Sequence, residues 1–428
     1  MFMTAIVIAL GSAGDVHPNV GLALALRRRG HRVLFLAGSV FRQMAERAGL
    51  EFIGLGTDEE YFEAIRDPDL WHPYRAFFVV VRRLILRWLR PLYGIIESLI
   101  EPCRTVLVAP ATAFAARIAQ EKLGLPLATV HLQPIMLRST IDPGCYGFPD
   151  IINFLPRSLR GLYLRAVDRL LIDPVLAPET NAFRAELGLP PVRRLFDRWF
   201  HSSQLILGLF PEWFAPPQPD WPPNVHLAGF PLWDESEHQP ASLQLEEFLN
   251  AGDPPVVFTA GSAMAQGKDF FRVSAEVCRS SGRRGLFLTQ FPEQLPQPLP
   301  ENVCHFSYIP FSAVLPRVAA FVHHGGIGTT AQALAAGVPQ LVVPLAHDQP
   351  DNAVRVRRLG IGDFLLPKAY KRATVLERLS RLLGSSDITE ACRKRAADMA
   401  SSPGLDQACA LIEKLCPKTQ PPSRQFIV

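Results

Sequence analysis

The sequence predicts an α/β protein of two tandem, doubly wound domains. Three observations support this fold class: a length of 428 residues, an alternation of short apolar runs with helical patterns, and a restart of that alternation in the second half. A single core rarely extends over so many residues, so two domains of about 200 residues each are expected. Continuous Val, Ile and Leu runs separated by helices are typical of parallel sheets covered on both faces.

The first half supplies the strands of the first domain. Strands are predicted at 5–10 (AIVIAL), 32–37 (RVLFLA), 105–110 (TVLVAP) and 127–132 (LATVHL), with helices over 18–29, up to residue 48 and over 112–123. Residues 210–240 then break the rhythm with many prolines. Proline removes a backbone donor, so this segment is predicted to be a stiff interdomain connection without regular strand ladders.

The second half repeats the pattern. Strands are predicted at 255–261, 285–290, 303–309, 319–324 and 340–345, with helices between most of them. The domains are therefore expected at 1–235 and 236–415, and the last helix, about 400–416, either stays with the second domain or packs back on the first. Ligands of such sheets bind beyond the carboxyl ends of the strands. Two glycine-rich turns, at 11–15 and 325–328, occupy that kind of position and would face each other across a cleft between the domains.

Composition narrows the class of protein. The net charge of +4 is too small to favour nucleic acid as a partner. Seven cysteines without a C-x-x-C spacing fit a reducing compartment better than a disulfide framework. The apolar N-terminal run lacks a basic region before it, so it is predicted to be a buried strand of a cytoplasmic protein and not a signal peptide.

Residues 77–100 form the longest apolar stretch, and four arginines interrupt it. Arginines at this density make a membrane-spanning helix improbable. Their roughly helical spacing predicts an amphipathic helix with one basic face. That helix either packs on its domain, or borders a lipophilic acceptor site or the surface of an anionic membrane as a peripheral contact.

The turn in "FVHHGGIGTTAQALAAG" carries the clearest chemical signal. Gly326 and Gly328 let the backbone approach a ligand, and the helix that starts near Gly328 presents N–H groups at its positive end. Thr329 adds a hydroxyl, and His324 can donate a further hydrogen bond. This combination suits a diphosphate; a glycine-capped turn with locally satisfied histidines is the plainer interpretation.

A dinucleotide site is the specific rival. Residues 326–331 also fit G-x-G-x-x-A, with Asp348 about 20 residues later, which would indicate an NAD-dependent oxidoreductase. That fingerprint usually opens the first βαβ unit of its domain, whereas several predicted strands precede it here. Asp348 also continues as "AHDQPDN", whose amide and carboxylate groups suit sugar hydroxyls.

Residues 308–352 ("YIPFSAVLPRVAAFVHHGGIGTTAQALAAGVPQLVVPLAHDQPDN") resemble the donor-binding signature of UDP-glycosyltransferases of the two-domain GT-B fold. The N-terminal "GSAGDVHPNVGLALALRRRGHRV" is similar to the opening of the bacterial and sterol-glucosylating branch. Residues 67–73 and 210–234 resemble the rhamnosyltransferases of rhamnolipid synthesis. Those enzymes carry proline at the position of His324, and histidine there is the commoner pattern in users of UDP-glucose.

The resemblance implies roles for individual residues. By this resemblance, the second domain would bind a nucleotide sugar and need no further cofactor. The residues around the donor would be Gly261, Ser262, Tyr308, Ile309, His324, Gly326, Gly328, Thr329, Asp348 and Gln349, together with Ser12 and Gly14 from the facing turn. His324 and its glycines would hold the diphosphate with Ser262, and Tyr308 would stack on the nucleobase while backbone groups at Ile309 read its edge. Asp348 and Gln349 would contact sugar hydroxyls, unless Asp348 only caps a helix.

A general base is expected in the first domain. Related enzymes with a G-H-x-x-P pattern use that histidine as the base, and Asp15 takes its place here in "GDVHP". Asp15 is the predicted base, with His17 as the alternative base or as a helper, and helix capping as the plainer role of both. The D-x-D match at 67–69 does not follow a clear strand, so no metal site is predicted.

The predicted function is therefore an inverting, metal-independent transfer of a hexose from a UDP- or dTDP-sugar to a lipophilic acceptor. A catalytically inactive ligand-binding homologue is the remaining alternative. Residues 60–100 and 133–175, rich in Phe, Leu, Trp and Arg, would form the acceptor side. The sequence does not specify the acceptor or the oligomeric state.

Overall fold

A computed structural model describes residues 2–237, 242–402 and 404–416, and it contains two parallel sheets. Within these residues the first sheet has strands β1 (Thr4–Ile8), β2 (Arg32–Gly38), β3 (Glu51–Leu55), β4 (Thr105–Pro110), β5 (Leu127–His131), β6 (Leu205–Gly208) and β7 (Val225–Leu227). Their spatial order is β3-β2-β1-β4-β5-β6-β7. The second sheet has β8 (Val256–Thr259), β9 (Gly285–Leu288), β10 (Val303–Phe306), β11 (Ala320–His323), β12 (Gln340–Val342) and β13 (Gly362–Phe364), in the order β10-β9-β8-β11-β12-β13.

Helices cover the faces of both sheets. In the first domain they are α1 (Ala13–Arg28), α2 (Arg42–Arg47), α3 (Asp58–Arg66), α4 (Ala76–Val80), α5 (Leu89–Ser98), α6 (Phe114–Leu123), α7 (Ile151–Phe154), α8 (Arg157–Val167) and α9 (Asp173–Glu186). In the second half they are α10 (Leu243–Asn250), α11 (Lys268–Ser281), α12 (Phe311–Val314), α13 (Ile327–Ala336), α14 (Gln349–Arg358), α15 (Arg372–Gly384), α16 (Ser386–Ala400) and α17 (Gly404–Glu413). The central strands β1, β8 and β11 are buried along their whole length, and β4 is buried except at its last residue, because helices lie on both sides of them.

The proline-rich connection departs from the prediction. Residues 225–227, expected to lie outside any ladder, form the edge strand β7 and pair in parallel with β6. The reason is local, since residues 224–230 contain no proline and an edge strand needs donors on one side only. The connection is then tied to the second domain, where the Asp234 carboxylate accepts hydrogen bonds from the Ser312 N–H (2.8 Å) and hydroxyl (3.0 Å).

The end of the described chain lies against the first domain. Helix α17 packs on α1, and the Glu413 carboxylate accepts a hydrogen bond from Arg29 at 2.6 Å. The ring Nε2 of His31 also lies 2.9 Å from Glu413. The chain thus crosses between the domains twice, once through the connection after β7 and once before α17.

The arginine-rich segment is helical but its basic face has partners in its own domain. It consists of α4, a π-helical segment (Val81–Leu86) and α5. Arg83 lies 3.1 Å from Glu63 and 3.5 Å from Asp67, and Arg87 pairs with Glu60. These ion pairs hold α3 against the arginine-rich segment. The expectation that this basic face meets an anionic membrane is therefore not supported by the contacts, which favour a helix packed on its own domain. In the described residues no helix is long and apolar enough to cross a membrane.

Candidate active site

The two glycine-rich turns meet at the centre of the interdomain cleft. The N-terminus of α1 follows β1 and the N-terminus of α13 follows β11, so both lie beyond the carboxyl ends of their strands. A β-carbon at Gly328 would lie 3.5 Å from the carbonyl oxygen of Gly14. The absence of side chains at both positions therefore lets the two helix N-termini approach each other closely.

Asp15 stands in the first turn of α1 and closes it. The Ser12 N–H donates to Asp15 Oδ2 at 3.0 Å, as in a capping box, and the Ser12 hydroxyl donates to the same atom at 3.4 Å. Gly11 precedes this turn with φ +131°, and a β-carbon there would collide with the Asp15 carboxylate. Glycine at position 11 is thus required to seat Asp15.

The environment of Asp15 prepares its carboxylate to accept a proton. Burial raises the pKa of Asp15 to about 6, while hydrogen bonds from Ser12 and from the side chain of Gln133 act in the opposite direction. Gln133 follows β5, two strands from β1, and the sequence analysis did not identify it. A carboxylate with a pKa near neutrality is suited to general-base catalysis. Tyr61 is the other neighbour, and the charge of Asp15 adds to burial in raising the pKa of its phenol.

His17, the alternative base, is held on the side of the interdomain connection. Its ring packs edge-on against Trp233, with ring centroids 5.3 Å apart, and against Tyr308 at 6.4 Å. Burial lowers the pKa of His17, partly offset by the charges of Glu235 and Asp234. The ring therefore fills the junction between α1, the connection and the second domain.

His324 occupies a slot that two glycines create. A β-carbon at Gly326 would lie 2.5 Å from His324 Nε2, and one at Gly261 would lie 3.1 Å from the ring. The buried Nδ1 atom has no hydrogen-bond partner among the described residues. Burial lowers the pKa of His324 to about 4, so the imidazole is neutral at pH 7 and carries one N–H. It can thus donate one hydrogen bond without bringing a charge.

The neighbouring histidine has a structural role. His323, fully buried in β11, has its Nε2 2.9 Å from Gln340 Oε1, and its Nδ1 accepts the Gly325 N–H at 3.0 Å. Gly325 adopts φ +91°, where a β-carbon would meet Val342. His323 thereby shapes the turn that presents His324.

The first turn of α13 keeps donors available. The Gly328 and Thr329 N–H groups have no hydrogen-bond acceptor in the part of the chain that the structure describes. Thr330 is internal to the turn, because its hydroxyl donates to the Gly326 carbonyl at 3.1 Å. Two N–H groups and the Thr329 hydroxyl at a helix N-terminus form a site for an anionic group.

Asp348 caps a helix, but not its own. Its Oδ2 accepts hydrogen bonds from the Ile327 N–H at 3.1 Å, at the start of α13, and from Asn352 Nδ2 at 2.7 Å. Burial, together with the charge of Asp15, raises the pKa of Asp348 to about 7. The two carboxyl groups are therefore close enough for the charge of Asp15 to act on Asp348 across the cleft. Asn352, which also donates to the Gly325 carbonyl at 2.8 Å, was missed as a site residue.

Two predicted site residues have their side chains turned inward. Gln349 is 2% exposed, and its Oε1 accepts the Leu345 N–H at 2.8 Å, so it shapes the loop before α14. The Ile309 side chain is 5% exposed and packs in the core of the second domain. Only the backbone of Ile309 is left to reach a ligand, and the predicted contact of Gln349 with a sugar stays a prediction.

Tyr308 and Ser262 lie at the rim of the cleft, and both are exposed. Tyr308 follows β10, and Ser262 lies in the turn after β8. Next to Ser262, Ala263 packs with Ile65 of the first domain in a small apolar cluster. Trp71 lies edge-on to His347, with ring centroids 5.4 Å apart. The first domain thus reaches over the rim beside the predicted donor site.

The D-x-D match at 67–69 is a helix cap. Asp67 accepts the Asp69 N–H at 3.1 Å at the start of a 3₁₀ helix (Pro68–Trp71), and Asp69 pairs with Arg75 at 3.1 Å. In the described residues no group of three His, Cys, Asp or Glu side chains is arranged to hold a metal ion.

Family models match both halves of the chain. Residues 5–141 match the N-terminal domain of glycosyltransferase family 28, and residues 289–415 match the C-terminal domain of proteins like erythromycin biosynthesis protein CIII. The two matches contain both glycine-rich turns, with Asp15 in the first and His324 in the second.

Known proteins match the chain over nearly its full length. O-mycaminosyltylonolide 6-deoxyallosyltransferase of Streptomyces fradiae is 30% identical, over 95% of this chain and 96% of its own. The crystal structure of the glycosyltransferase of kitacinnamycin has a TM-score of 0.75 at 22% identity, covering 97% of this chain and 99% of its own. A spinosyn rhamnosyltransferase solved with thymidine diphosphate has a TM-score of 0.64 at 20% identity, covering 96% and 100%.

Proposed function

The chain belongs to the GT-B glycosyltransferases of family 1, and we propose on this premise that it moves a hexose, with inversion and without a divalent metal, from a UDP- or dTDP-sugar to a hydroxyl of a lipophilic molecule. Family, fold and enzyme class agree with the sequence prediction, and its relatives act in secondary metabolism. The alternative of an NAD-dependent oxidoreductase is wrong.

One observation carries the proposal: the two turns present opposite chemistry across a single cleft. The first offers Asp15, a carboxylate with a pKa of about 6. The second offers neutral His324 and the N–H groups of Gly328 and Thr329. One side can accept a proton while the other stabilises a departing anion, which is what glycosyl transfer to a hydroxyl requires.

The proposed step is a single displacement. The acceptor hydroxyl attacks the anomeric carbon of the donor while its proton passes to the Asp15 carboxylate. A new C–O bond forms as the bond from that carbon to the β-phosphate oxygen breaks, and its electron pair leaves with the nucleoside diphosphate. Hydrogen bonds from His324 and the first turn of α13 stabilise this negative charge. Inversion follows because attack and departure occur on opposite faces of the sugar.

Base and sugar recognition remain part of the proposal. Tyr308, exposed at the rim, offers an aromatic face for a pyrimidine. A relative solved with thymidine diphosphate and another that is a deoxyallosyltransferase favour a dTDP-deoxysugar over UDP-glucose. Asp348, with Asn352 beside it, is proposed to meet a sugar hydroxyl, because it lies close enough to Asp15 for that charge to act on it.

The acceptor is proposed to be a lipophilic secondary metabolite or glycolipid precursor. The carboxyl end of β5 continues into Gln133 and Met136, and aromatic residues such as Phe77 and Phe196 pack nearby in the first domain. A relative whose name describes a glycosylated tylonolide as acceptor favours a large apolar molecule.

Calorimetric titration with nucleotides tests the donor half. The purified chain should bind dTDP or UDP more tightly than ADP, and His324→Ala should weaken that binding. The matched variant His305→Ala, on a partly buried histidine whose Nε2 lies 2.9 Å from the Thr289 carbonyl, should leave it unchanged. Equal affinity for ADP would contradict the pyrimidine proposal.

Turnover assays test the chemical half. A panel of dTDP- and UDP-sugars with apolar alcohols, read by mass spectrometry, should yield glycosides whose anomeric configuration by NMR is opposite to the donor. Turnover should persist in excess EDTA. A loss that Mn²⁺ restores would contradict metal independence, and nucleotide binding without any transfer or hydrolysis would indicate an inactive homologue.

A further inference from the structure

Exposed apolar side chains concentrate in one stretch of the first domain, residues 151–171, called the 151–171 surface below. Among the described residues, fourteen large apolar side chains are exposed, and six of them lie in this stretch of the chain. They are Ile151, Phe154, Leu159, Leu162, Leu170 and Leu171, with Phe154 81%, Leu170 77% and Leu162 57% exposed. Helix α8 within this stretch has no buried residue. Clustering of this kind marks an interaction site.

The spacing of these residues defines a stripe. Leu159, Leu162 and Leu170 follow one another at intervals of three and eight residues, which places them on the same face of α8 and of the π-helical segment (Asp168–Ile172) that continues it. Asp168 lies on the opposite face, where it is 1% exposed and pairs with Arg138 at 2.5 Å. The helix is thus attached through one face and presents leucines on the other.

The same surface is basic. Residues 151–171 contain four arginines and neither lysine nor glutamate, and their one aspartate is the buried Asp168. Arg157, Arg165 and Arg169 are exposed and have no acidic partner among the described residues. Arg160 instead donates to the Thr140 carbonyl at 3.1 Å and so ties α8 to the preceding loop.

This arrangement contrasts with the arginines of α4 and α5. There Arg83, Arg87 and Arg90 each pair with glutamates of their own domain. On the 151–171 surface the positive charges have no such partners. The free basic face that the sequence analysis expected at 77–100 lies some 80 residues later in the chain.

We propose that the 151–171 surface docks on the interface of an anionic lipid bilayer. Exposed leucines and phenylalanine would enter the headgroup boundary while Arg157, Arg165 and Arg169 meet lipid phosphates. The helix lies in the plane of the interface, as a short amphipathic segment does. This inference is independent of the proposed transfer reaction, because a chain that transferred no sugar would still bind vesicles.

A second copy of the chain fits this surface less well. A two-fold contact through the same surface on both molecules would bring its unpaired arginines together without any acidic group to balance them. An anionic bilayer balances all of them at once and accommodates the apolar stripe between them. The charge pattern therefore favours the bilayer over self-association.

Co-sedimentation of the full chain with vesicles tests the proposal. Binding should be strong to vesicles of phosphatidylcholine and phosphatidylglycerol in equal parts, and at least about tenfold weaker to phosphatidylcholine alone. Arg165→Glu with Arg169→Glu should reduce the partition coefficient by about 30-fold or more. Phe154→Ser with Leu170→Ser should reduce it by about tenfold, since apolar area no longer leaves water.

Matched variants on the second domain provide the control. Arg279→Glu with Arg372→Glu changes the net charge equally, and Leu243→Ser removes a leucine that is 83% exposed. Both should leave vesicle binding within about twofold of wild type, and thermal unfolding should be unchanged in every variant because all these side chains are exposed.

Two results would overturn the proposal. One is that the wild-type chain does not bind anionic vesicles, or that the control variants lose as much vesicle binding as the variants of the 151–171 surface. The other is a concentration-dependent dimer in analytical ultracentrifugation that the Phe154→Ser, Leu170→Ser variant abolishes, with no vesicle binding by wild type. That outcome would assign the surface to a second copy of the chain.

Discussion

The turns at the N-termini of α1 and α13 both connect a strand to a helix through glycines, but they present different chemical groups. In the first, the helix carries its own carboxylate, Asp15, which closes the turn through Ser12. In the second, the carboxylate comes from outside the helix, as Asp348 binds the Ile327 N–H. The N–H groups of Gly328 and Thr329 then have no acceptor in the described chain.

This difference explains how one architecture can host two halves of a reaction. A carboxylate inside the first turn of a helix is stabilised by the helix dipole, yet burial still leaves the pKa of Asp15 at about 6. A turn whose donors remain available attracts an anion from solution instead. Glycine serves each turn differently: Gly11 makes room for Asp15, and Gly326 makes room for His324.

The largest effect is expected from the first turn. Asp15→Asn keeps the size of the side chain and an oxygen for the capping box, but the amide cannot take the acceptor proton. A positioned base is worth roughly 10²–10⁴-fold in rate, so kcat should fall by about that factor. Calorimetry should give an unchanged affinity for dTDP or UDP, because the diphosphate is assigned to the second turn.

The exposed Asp253 supplies the control for this variant, since Asp253→Asn should retain wild-type turnover. If Asp15→Asn remained active while His17→Ala lost activity, the base would be His17 and the contrast between the turns would fail. The packing of His17 between Trp233 and Tyr308 makes that result unexpected.

The second turn can be disturbed by a single methyl group. In Gly326→Ala the new β-carbon would lie 2.5 Å from His324 Nε2, so the ring must move. Overpacking of this size costs enough to weaken nucleotide affinity by about tenfold, with little change in the chemistry at Asp15. Gly384→Ala, where a β-carbon meets nothing within 4 Å, is the control. Unchanged nucleotide affinity in Gly326→Ala would mean that His324 does not contact the diphosphate.

Sequence patterns located the central strands and both turns, because a buried parallel strand reads as an unbroken apolar run. Three of the four edge strands, β3, β7 and β13, were missed, because they are only three to five residues long and do not form a long apolar run. Strand β6 is buried but only four residues long. Tertiary pairing, which no local pattern records, makes these segments strands.

The residues of the site also fall into those that the sequence predicted and those that it did not. Positions fixed by one turn, such as Asp15, Gly326 and His324, were identified because their neighbours in sequence are their neighbours in space. Gln133 reaches Asp15 from the far side of β4, and Asn352 reaches Asp348 and the Gly325 carbonyl from within α14. The inward orientation of Gln349 was not predicted, because composition does not reveal which way a side chain points.

Gln133 sharpens the account of the first turn. Its hydrogen bond opposes the rise in the pKa of Asp15, so Gln133→Ala should raise that pKa and move the acid limb of the kcat/KM profile upward by about half to one pH unit. Rates at pH 6 should fall by about two- to fivefold and rates at pH 8 should barely change. Gln133→Asn should partly restore the profile. A uniform loss at every pH would instead indicate a packing role.

The smallest effect concerns the buried carboxyl group of Asp348. Folding raises the pKa of Asp348 from 3.8 to about 7, so the folded chain binds this proton more tightly than the unfolded chain does. Stability should therefore fall as pH rises from about 4 to 7, and the loss of stability should be complete above pH 7.

Asp348→Asn removes the charge but keeps an oxygen to accept the Ile327 N–H. Relative to wild type, its Tm should be higher by about 2–4 °C at pH 8 and nearly equal at pH 4, measured by calorimetry. Asp253→Asn should give a difference that does not depend on pH. A Tm difference for Asp348→Asn that is constant across this range would show that folding does not raise the pKa of Asp348.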